Sequence, residues 1–439
     1  MVVIMTFKKS KNDIVCVSAC RTPFGRFGGS MKDIDIYDLG AIAMRNSLQR
    51  INMDPGLIDE VWWGNGDTTN TKDPYTPVIA RQTMLKAGIK PETPSITFDQ
   101  ACISAMAAVK YAVRAIQSGE AKIVMTGGST SFSTVPFLLR DIRWSGKRHS
   151  SFLVEDPIIP LGYKDYAPVA VDSGNIAIEY GVSREEQDEF AYASHMKYKE
   201  AYSRGFFQHE MVPLVIEKKD SKGNIIDKML LEIDEQFRPD ISLESLAKLK
   251  PIFGNPTCTA GNAPGMNDGA AAQIFTTRET AEQLGLEIVY TLVAISSIAL
   301  QPRIMPVSPA FAIKKCLDDT GLSIEDMKFI EINEAFACVP LVSSKLLANE
   351  RFLKSNYEDM VREASSQPVL DYDADKYQAI KSRLNVNGSA IAVGHANTAS
   401  GARIMMTAAY NLKENGGGYA AAAICGGLTQ GAGAIIWVE

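Results

Sequence analysis

One stretch of this chain is echoed by another far downstream. The segment from Cys102, CISAMAAVKYAVRAIQSGEAKIVMTGGSTS, shares its order of features with the segment from His395, HANTASGARIMMTAAYNLKENGGGYAAAAICGGLTQG. Each opens on a chemically special residue and passes through small residues into an apolar run of helical period. Each then turns at glycine, enters a short apolar strand and ends in a Gly-rich turn. The spacing predicts helices over 104–118 and 399–413, with strands at Ile123–Thr126 and Tyr419–Cys425. A second echo pairs DGAAAQIF (268–275) with GAGAIIWVE (431–439). The strand-like Ile14–Val17 and Ile288–Ala294 each open a half.

Two similar halves of alternating strands and helices predict an α/β architecture with two α/β layers packed together. A length of 439 residues admits two or three domains, or one large duplicated unit. The halves are unequal, which suggests three regions. An N-terminal domain takes residues 1–131 and 260–286, a loop domain is inserted at 132–259, and a C-terminal domain takes 287–439. The insertion is charge-rich and aromatic, carries a helix over Arg184–Arg204, and is expected to cover one face of the first half. An acidic stretch near 350–380 reads as a solvated surface excursion.

Hydrophobic residues make up 46% and charged residues 22%, enough to bury a large core without disulfide or metal staples. A net charge of −6 argues against a nucleic-acid surface. The seven cysteines are odd in number and scattered, and no His/Cys cluster surrounds the closest pair, Cys16 and Cys20. A metal site and a disulfide framework are not expected; a reducing cytoplasm is. The apolar start of MVVIMTFKKSKND precedes its lysines, the reverse of a signal peptide. No apolar run is long enough to span a bilayer.

Cys102 sits where a short strand gives way to a helix. A helix N-terminus stabilises a thiolate and presents N–H groups to an oxyanion, so a nucleophile is one reading. A buried small hydrophobe is the other, and by itself the site reads equally as either. His395 occupies the mirrored point, with glycine before it and small residues after it. A lone His on an apolar face is usually a satisfied core residue, but the repeat would bring it to Cys102 as an activating base. His195 lies on a polar helix, and His149 follows Gly-Lys-Arg in a basic loop. Cys425 ends a strand before Gly426 and Gly427, exposed there or else buried in the strand core. Those glycines allow close backbone approach. Asn333 and Glu334 follow the strand Phe329–Ile332; Glu334 is a candidate to orient His395 or a neighbouring amide. Thr259–Ala271, TAGNAPGMNDGAA, permits tight turns near a ligand. No phosphate loop or dinucleotide fingerprint appears, and GNG at 64–66 is too short to count.

Taken together and in order, these motifs resemble the thiolases, the acetyl-CoA acetyltransferases and 3-oxoacyl-CoA thiolases. RTPFGRFGG (21–29), the Cys102 block, TAGNAPGMNDGAA, NEAFA, NVNGSAIAVGH and CGGLTQG span nearly the whole chain. The resemblance implies a duplicated α-β-α-β-α five-layer fold with an inserted loop domain. It implies CoA-dependent cleavage of a 3-oxoacyl-CoA, or the reverse Claisen condensation, through an acyl-Cys102 intermediate. His395 would activate Cys102 and, with Asn333 through a water, bind a thioester oxygen. Cys425 would move the second proton. The N–H groups of Cys102 and Gly427 would form the other oxyanion hole. CoA contacts are implied at Arg238, Ser245, Phe253, Ala260, Ala335 and Phe336. CoA would be a cosubstrate, with no bound cofactor and no metal. The partners implied are acyl-CoA and CoA, in a homodimer or dimer of dimers, with room for an accessory subunit and no nucleic acid or membrane.

The chain departs from the family pattern beside the substrate. Pro168-Val169-Ala170 replaces a His-Met-Gly loop, and Pro264 stands where Ser is common. Ala396-Asn397-Thr398 replaces Pro-Ile-Gly, and Leu428 and Thr429 interrupt a glycine run. Intact catalytic residues with altered neighbours predict a bulky, branched or aromatic acyl group, such as a benzoylsuccinyl-CoA-like ester. The alternatives are an acetoacetyl-CoA thiolase and a non-catalytic lipid- or partner-binding member of the fold. Cys425 discriminates against ketoacyl synthases and hydroxymethylglutaryl-CoA synthases, which lack a cysteine there.

Overall fold

The central strands of the main sheet are buried on both faces, so apolar and small residues dominate both faces of each. The first half supplies β1 (Ile14–Arg21), β2 (Glu60–Gly64), β3 (Ser95–Phe98), β4 (Val124–Thr130) and β5 (Asn267–Thr277). The second supplies β6 (Tyr290–Ala299), β7 (Met327–Ile332), β8 (Gly418–Gly426) and β9 (Gln430–Val438). The computed structural model describes residues 7–439 except 67–70, 73–76, 145, 147–148, 150, 159–161, 221 and 223. The first six residues of the N-terminal stretch, and Lys147 and Arg148 of the basic loop, lie outside the described residues.

Strand order is β7-β8-β9-β6-β1-β5-β4-β2-β3, with Gly25–Arg26 added alongside β5. From the middle outwards the halves repeat one another. β1, β5 and β4 pair antiparallel, then β2 and β3 add parallel. β6, β9 and β8 pair antiparallel, then β7 adds parallel. Where the first half has β3, the second has a single parallel bridge from Leu384 to Ile330. The halves, expected as separate layers, meet at a short seam: Val15 pairs with Thr291 and Cys16 with Tyr290.

The helices complete five layers. α1 (Ile36–Arg50) and α2 (Ile79–Ala87) cover the outer face of the first half. α3 (Ser104–Ser118) packs between the halves. α4 (Val169–Glu179) and α5 (Arg184–Ser203) belong to the long insertion. α6 (Ser308–Thr320), with α7 (Cys338–Leu347) packed on it, covers the outer face of the second half. α8 (Asn397–Glu414) lies beside α3, touching strands of both halves. Three apolar clusters fill the gaps between layers. Along β8, Ala420, Ala422 and Ile424 face the central cluster, while Tyr419, Ala421, Ala423 and Cys425 face the outer one. That alternation is the two-residue period of a strand with a core on each side.

Small residues at the starts of α3 and α8 have a steric purpose. A methyl on Gly401 would press on the backbone of Met106 in α3. Gly127 and Gly128, read from sequence as a turn, instead continue β4, because a side chain at Gly128 would strike the Thr398 carbonyl where α8 begins. Both helix starts thus reach one point.

The long insertion is anchored by charge. Arg21 is fully buried and meets Glu210 at 2.6 Å and Asp234 at 2.6 Å. The acidic stretch near 350–380 departs from expectation. It forms the helices Glu350–Lys354, Tyr357–Ala364 and Ala374–Arg383, whose Phe352, Met360, Tyr377 and Ile380 are buried in the outer cluster of the second half. Its charges occupy only the outward faces of amphipathic helices. No described helix is long and apolar enough to cross a membrane.

Candidate active site

Cys102 lies in a one-turn 3-10 segment, Ala101–Ile103, that leads into α3. His395 lies just before α8 and makes a parallel bridge with Met266. Cys102 Sγ stands 3.2 Å from His395 Nε2. Two residues from opposite ends of the chain are therefore in hydrogen-bond contact, as the repeat predicted.

The imidazole is held from behind. The Ser400 hydroxyl donates to the Ala396 carbonyl at 3.0 Å, so its oxygen is free to accept Nδ1–H at 2.7 Å. That assignment leaves the Nε2 lone pair facing Cys102. The His395 backbone N–H donates to Asn267 Oδ1 at 2.8 Å, and Asn267 in turn donates to the Gly25 carbonyl. Burial, with the Arg403 charge adding to it, pushes the imidazole pKa down to about 3, so the ring is neutral. Burial pushes the Cys102 thiol up to about 12, and the Asp99 charge adds to the rise. This corrects the expectation of a thiol acidified by its helix. The helix begins after a 3-10 turn, and desolvation of the sulfur outweighs the dipole. The resting pair is thiol and neutral imidazole, so the thiolate forms as the proton moves to Nε2.

Asn333 follows β7; its Oδ1 accepts from Arg403 Nη2 at 2.9 Å and its Nδ2 lies 3.5 Å from His395 Nδ1. Glu334 does not orient the imidazole. It is fully buried, accepting from Ser194, Asn385 and the Ile391 backbone at 2.8–2.9 Å. Cys425 is also fully buried instead of exposed at its strand end. Its strand continues through Gly426 and its side chain joins the outer cluster with Cys258 and Cys338. Burial raises its thiol pKa, and Cys102 raises it further.

A cavity of about 350 Å³ opens onto Cys102, His395 and Gly427. Its walls include Phe132, Val135, Ile158, Val169, Met266 and Met305. Phe253, Ala335 and Phe336 also line it, as does Pro264. Arg238, Ser245 and Ala260 do not; all three are on exposed surface. Arg238 Nη2 donates to the Ala260 carbonyl at 3.2 Å, and its backbone N–H donates to the buried His195 at 3.2 Å. The Ser245 hydroxyl serves a capping box with Ser242. His195, on a helix read as polar, faces inward, and burial lowers its pKa to about 4. Two departures from the family pattern have a structural role. Thr130 donates to Asn397 Oδ1 at 2.7 Å and Thr398 donates to the Ser129 carbonyl at 2.6 Å, tying the start of α8 to the end of β4.

Family models match almost the full length: the thiolase N-terminal domain over residues 14–279 and the thiolase C-terminal domain over 286–438. The chain belongs to the thiolase family. Curated relatives include a β-ketoadipyl-CoA thiolase of Pseudomonas knackmussii, 36% identical over 96% of this chain and 98% of its own. An acetyl-CoA acetyltransferase of Syntrophomonas wolfei is 34% identical over 97% of this chain and 98% of its own. Among solved structures, human mitochondrial 3-ketoacyl-CoA thiolase in complex with CoA matches with a TM-score of 0.82 and 32% identity, covering 98% of each chain. The thiolase is a CoA-dependent acyltransferase, and CoA is its substrate.

Sequence reading missed Ser400, Asn267 and Tyr163. Ser400 lies five residues beyond His395 in the small-residue start of α8, so its hydroxyl was taken as helix filler. Asn267 sits at the start of β5, inside a segment read for its glycines. Tyr163 lies in an irregular segment with no periodic signal.

Proposed function

We propose that this thiolase cleaves, or in reverse forms, a 3-oxoacyl-CoA whose acyl group is uncharged, apolar and larger than acetyl. The observation that carries this reading is the Cys102–His395 contact at the floor of a cavity walled by apolar side chains. Among the described lining residues there is no Lys or Arg, and Asp99 is acidic. An acyl group with a distal carboxylate, such as the ketoadipyl group that names one relative, would meet no cation among the described lining residues, which disfavours its burial there. The same argument disfavours a benzoylsuccinyl ester and leaves branched or aromatic acyl groups without a carboxylate.

In the degradative direction Cys102 Sγ attacks the 3-oxo carbonyl as its proton passes to His395 Nε2. The backbone N–H groups of Cys102 and Gly427 hold the oxyanion. Carbon–carbon cleavage releases acetyl-CoA as its enolate, which takes a proton from Cys425. The CoA thiol then gives its proton to the Cys425 thiolate as its sulfur adds to the acyl carbon, and the Cys102 sulfur leaves and takes its proton back from His395. Phe253, Ala335 and Phe336 border the path of the pantetheine arm, and Arg238, Ser245 and Ala260 mark the outer surface for the nucleotide.

The test has two parts. Intact-mass measurement after incubation with acyl-CoA should show one acyl adduct on the wild type and none on Cys102→Ala, whose turnover should fall by at least about 10⁴-fold. A panel of acetoacetyl-CoA, longer straight-chain, branched, aromatic and carboxylated 3-oxoacyl-CoA esters then ranks kcat/KM. A preference for acetoacetyl-CoA or for a carboxylated ester overturns the substrate assignment. An absence of adduct across the panel favours the non-catalytic alternative.

A further inference from the structure

Tyr163 stands at the catalytic end of the cavity, and nothing in the reaction just described uses it. It comes from the long insertion and lines the cavity with Ala101, Cys102, His395 and Gly427. Its hydroxyl oxygen lies so close to Gly427 that a methyl carbon added there would overlap it. The Gly427 backbone is outside the left-handed region, so space and not φ demands glycine at that position. Leu428 and Thr429, which follow, do adopt positive φ, at 55° and 57°. Thr429 Oγ1 donates to the Pro302 carbonyl at 2.5 Å, and its carbonyl accepts from the Leu300 N–H at 3.0 Å. Gly427 is thus held between an anchored turn on one side and the Tyr163 phenol on the other.

The phenol has two properties of a hydrogen-bond donor awaiting a ligand. Its hydroxyl makes no hydrogen bond among the described residues, and the side chain stands on the cavity wall 36% exposed, so the O–H is open to a ligand there. It also keeps its proton. Burial raises its pKa above the ordinary tyrosine range, and Cys102 when ionised, the Asp99 charge and Cys425 when ionised raise it further. The hydroxyl shares the cavity wall with Cys102 and Gly427.

We propose that Tyr163 is a catalytic hydroxyl whose O–H donates to the carbonyl oxygen of the acyl group on Cys102, beside the Gly427 N–H. The proposal rests on Cys102 being the acylated residue. As the CoA sulfur adds to the acyl carbon, the C–O π pair moves onto oxygen and the hydrogen bond strengthens. As the tetrahedral carbon expels the Cys102 sulfur, the pair returns and the bond weakens. Tyr163 keeps its proton throughout; it stabilises charge and transfers nothing. A donor that bonds more strongly in the transition state than in the ground state lowers the barrier without tightening CoA binding.

Tyr163→Phe tests this, because it keeps the ring against Gly427 and removes only the hydroxyl. Single-turnover transfer from acyl-Cys102 to CoA should slow on the order of 100-fold. The KM for CoA should stay within about a factor of two, as expected when an interaction made only in the transition state is lost. The melting temperature should be unchanged. Tyr163→Ala, measured in parallel, removes the wall as well. If Tyr163→Phe transfers as fast as wild type, the proposal fails, and a shift of acyl preference in Tyr163→Ala alone would show the ring to be only a wall. A wild type that never forms the adduct brings down the Cys102 reading and this one with it. A wild-type adduct with an unimpaired Tyr163→Phe brings down this one alone.

Discussion

In the first half the chain leaves β3, passes through Ala101 at φ +49° and presents Cys102 at the start of α3. In the second it passes through Gly394 at φ +109° and presents His395 at the start of α8. One backbone device serves two side chains, and burial acts on them in opposite directions. It penalises the thiolate of Cys102 and the imidazolium of His395, so the thiol pKa rises and the imidazole pKa falls. Both residues rest uncharged. A buried ion pair would carry the desolvation cost of two charges at all times; a neutral pair incurs it only as the thiol attacks.

The comparison is broken most severely by removing its second member. His395→Ala should slow Cys102 acylation roughly 1,000-fold, about 4 kcal/mol of barrier, while leaving CoA affinity largely intact. The pH profile then sharpens the neutral-pair argument. With the imidazole unprotonated down to about 3 and the thiol intact up to about 12, the active form stays fully populated near neutrality. The acylation rate constant should be flat between roughly pH 5 and 9. A limb near the ordinary histidine value would show that burial does not hold the imidazole neutral, and a limb well above it that the pair rests as thiolate and imidazolium. Stability should behave differently. The folded chain binds a proton at His395 more weakly than the unfolded chain does, and the same holds for His195, whose pKa is about 4. Their contribution is complete above the unfolded value of about 6.5 and is lost as pH falls towards the folded values, at up to about 1.4 kcal/mol per pH unit for each. Urea unfolding at successive pH values reads that slope.

Next in size is the group that holds the imidazole. Ser400→Ala removes the acceptor of Nδ1–H and should slow acylation roughly 10-fold, about 1.4 kcal/mol, without lowering the melting temperature much. Glu334→Gln should do the reverse. It places an amide donor among the donors of Ser194, Asn385 and Ile391, costing about 1–3 kcal/mol of stability and leaving the acylation rate near wild type. The opposite pattern would restore Glu334 as the orienting group.

What the sequence revealed and what it hid follow from the range of the interactions. The repeat was legible because each half carries its own period, turn and special residue within a short stretch. The meeting of Cys102 with His395 followed from symmetry, without any knowledge of packing. The direction of the thiol shift was not legible: a helix start is a local feature, but the burial that outweighs it is built where segments distant in sequence, Tyr163 and His395 among them, close around the sulfur. The choice for Glu334 between the imidazole and a neighbouring amide stayed open for the same reason: the partners that decide it, the Asn385 amide among them, lie on α5 and in the approach to His395. The stretch near 350–380 looked solvated because charges are interleaved along its whole length, yet Phe352, Met360, Tyr377 and Ile380 are spaced to reach a core.

The smallest expected effect tests the shared backbone device itself. Ala101 carries a Cβ in the left-handed region, which costs an L-residue roughly 1–2 kcal/mol. Glycine would relieve that cost but adds backbone entropy to the unfolded chain. Ala101→Gly should therefore stabilise the fold by no more than about 1 kcal/mol. Its effect on acylation reports whether strain at Ala101 helps to aim Cys102. A rate equal to wild type assigns the strain no part in the chemistry, and a loss makes Ala101 a positioning residue. The mirrored change should not be mild. Gly394 sits at φ +109° and ψ 165°, a region for glycine alone, and a methyl there would meet the Asn267 side chain at about 3 Å. Asn267 is also the acceptor of the His395 N–H. Gly394→Ala should destabilise by about 1–3 kcal/mol and slow acylation by moving His395. If Gly394→Ala is instead as mild as Ala101→Gly, the glycine-only backbone before His395 imposes no greater constraint than the positive φ before Cys102.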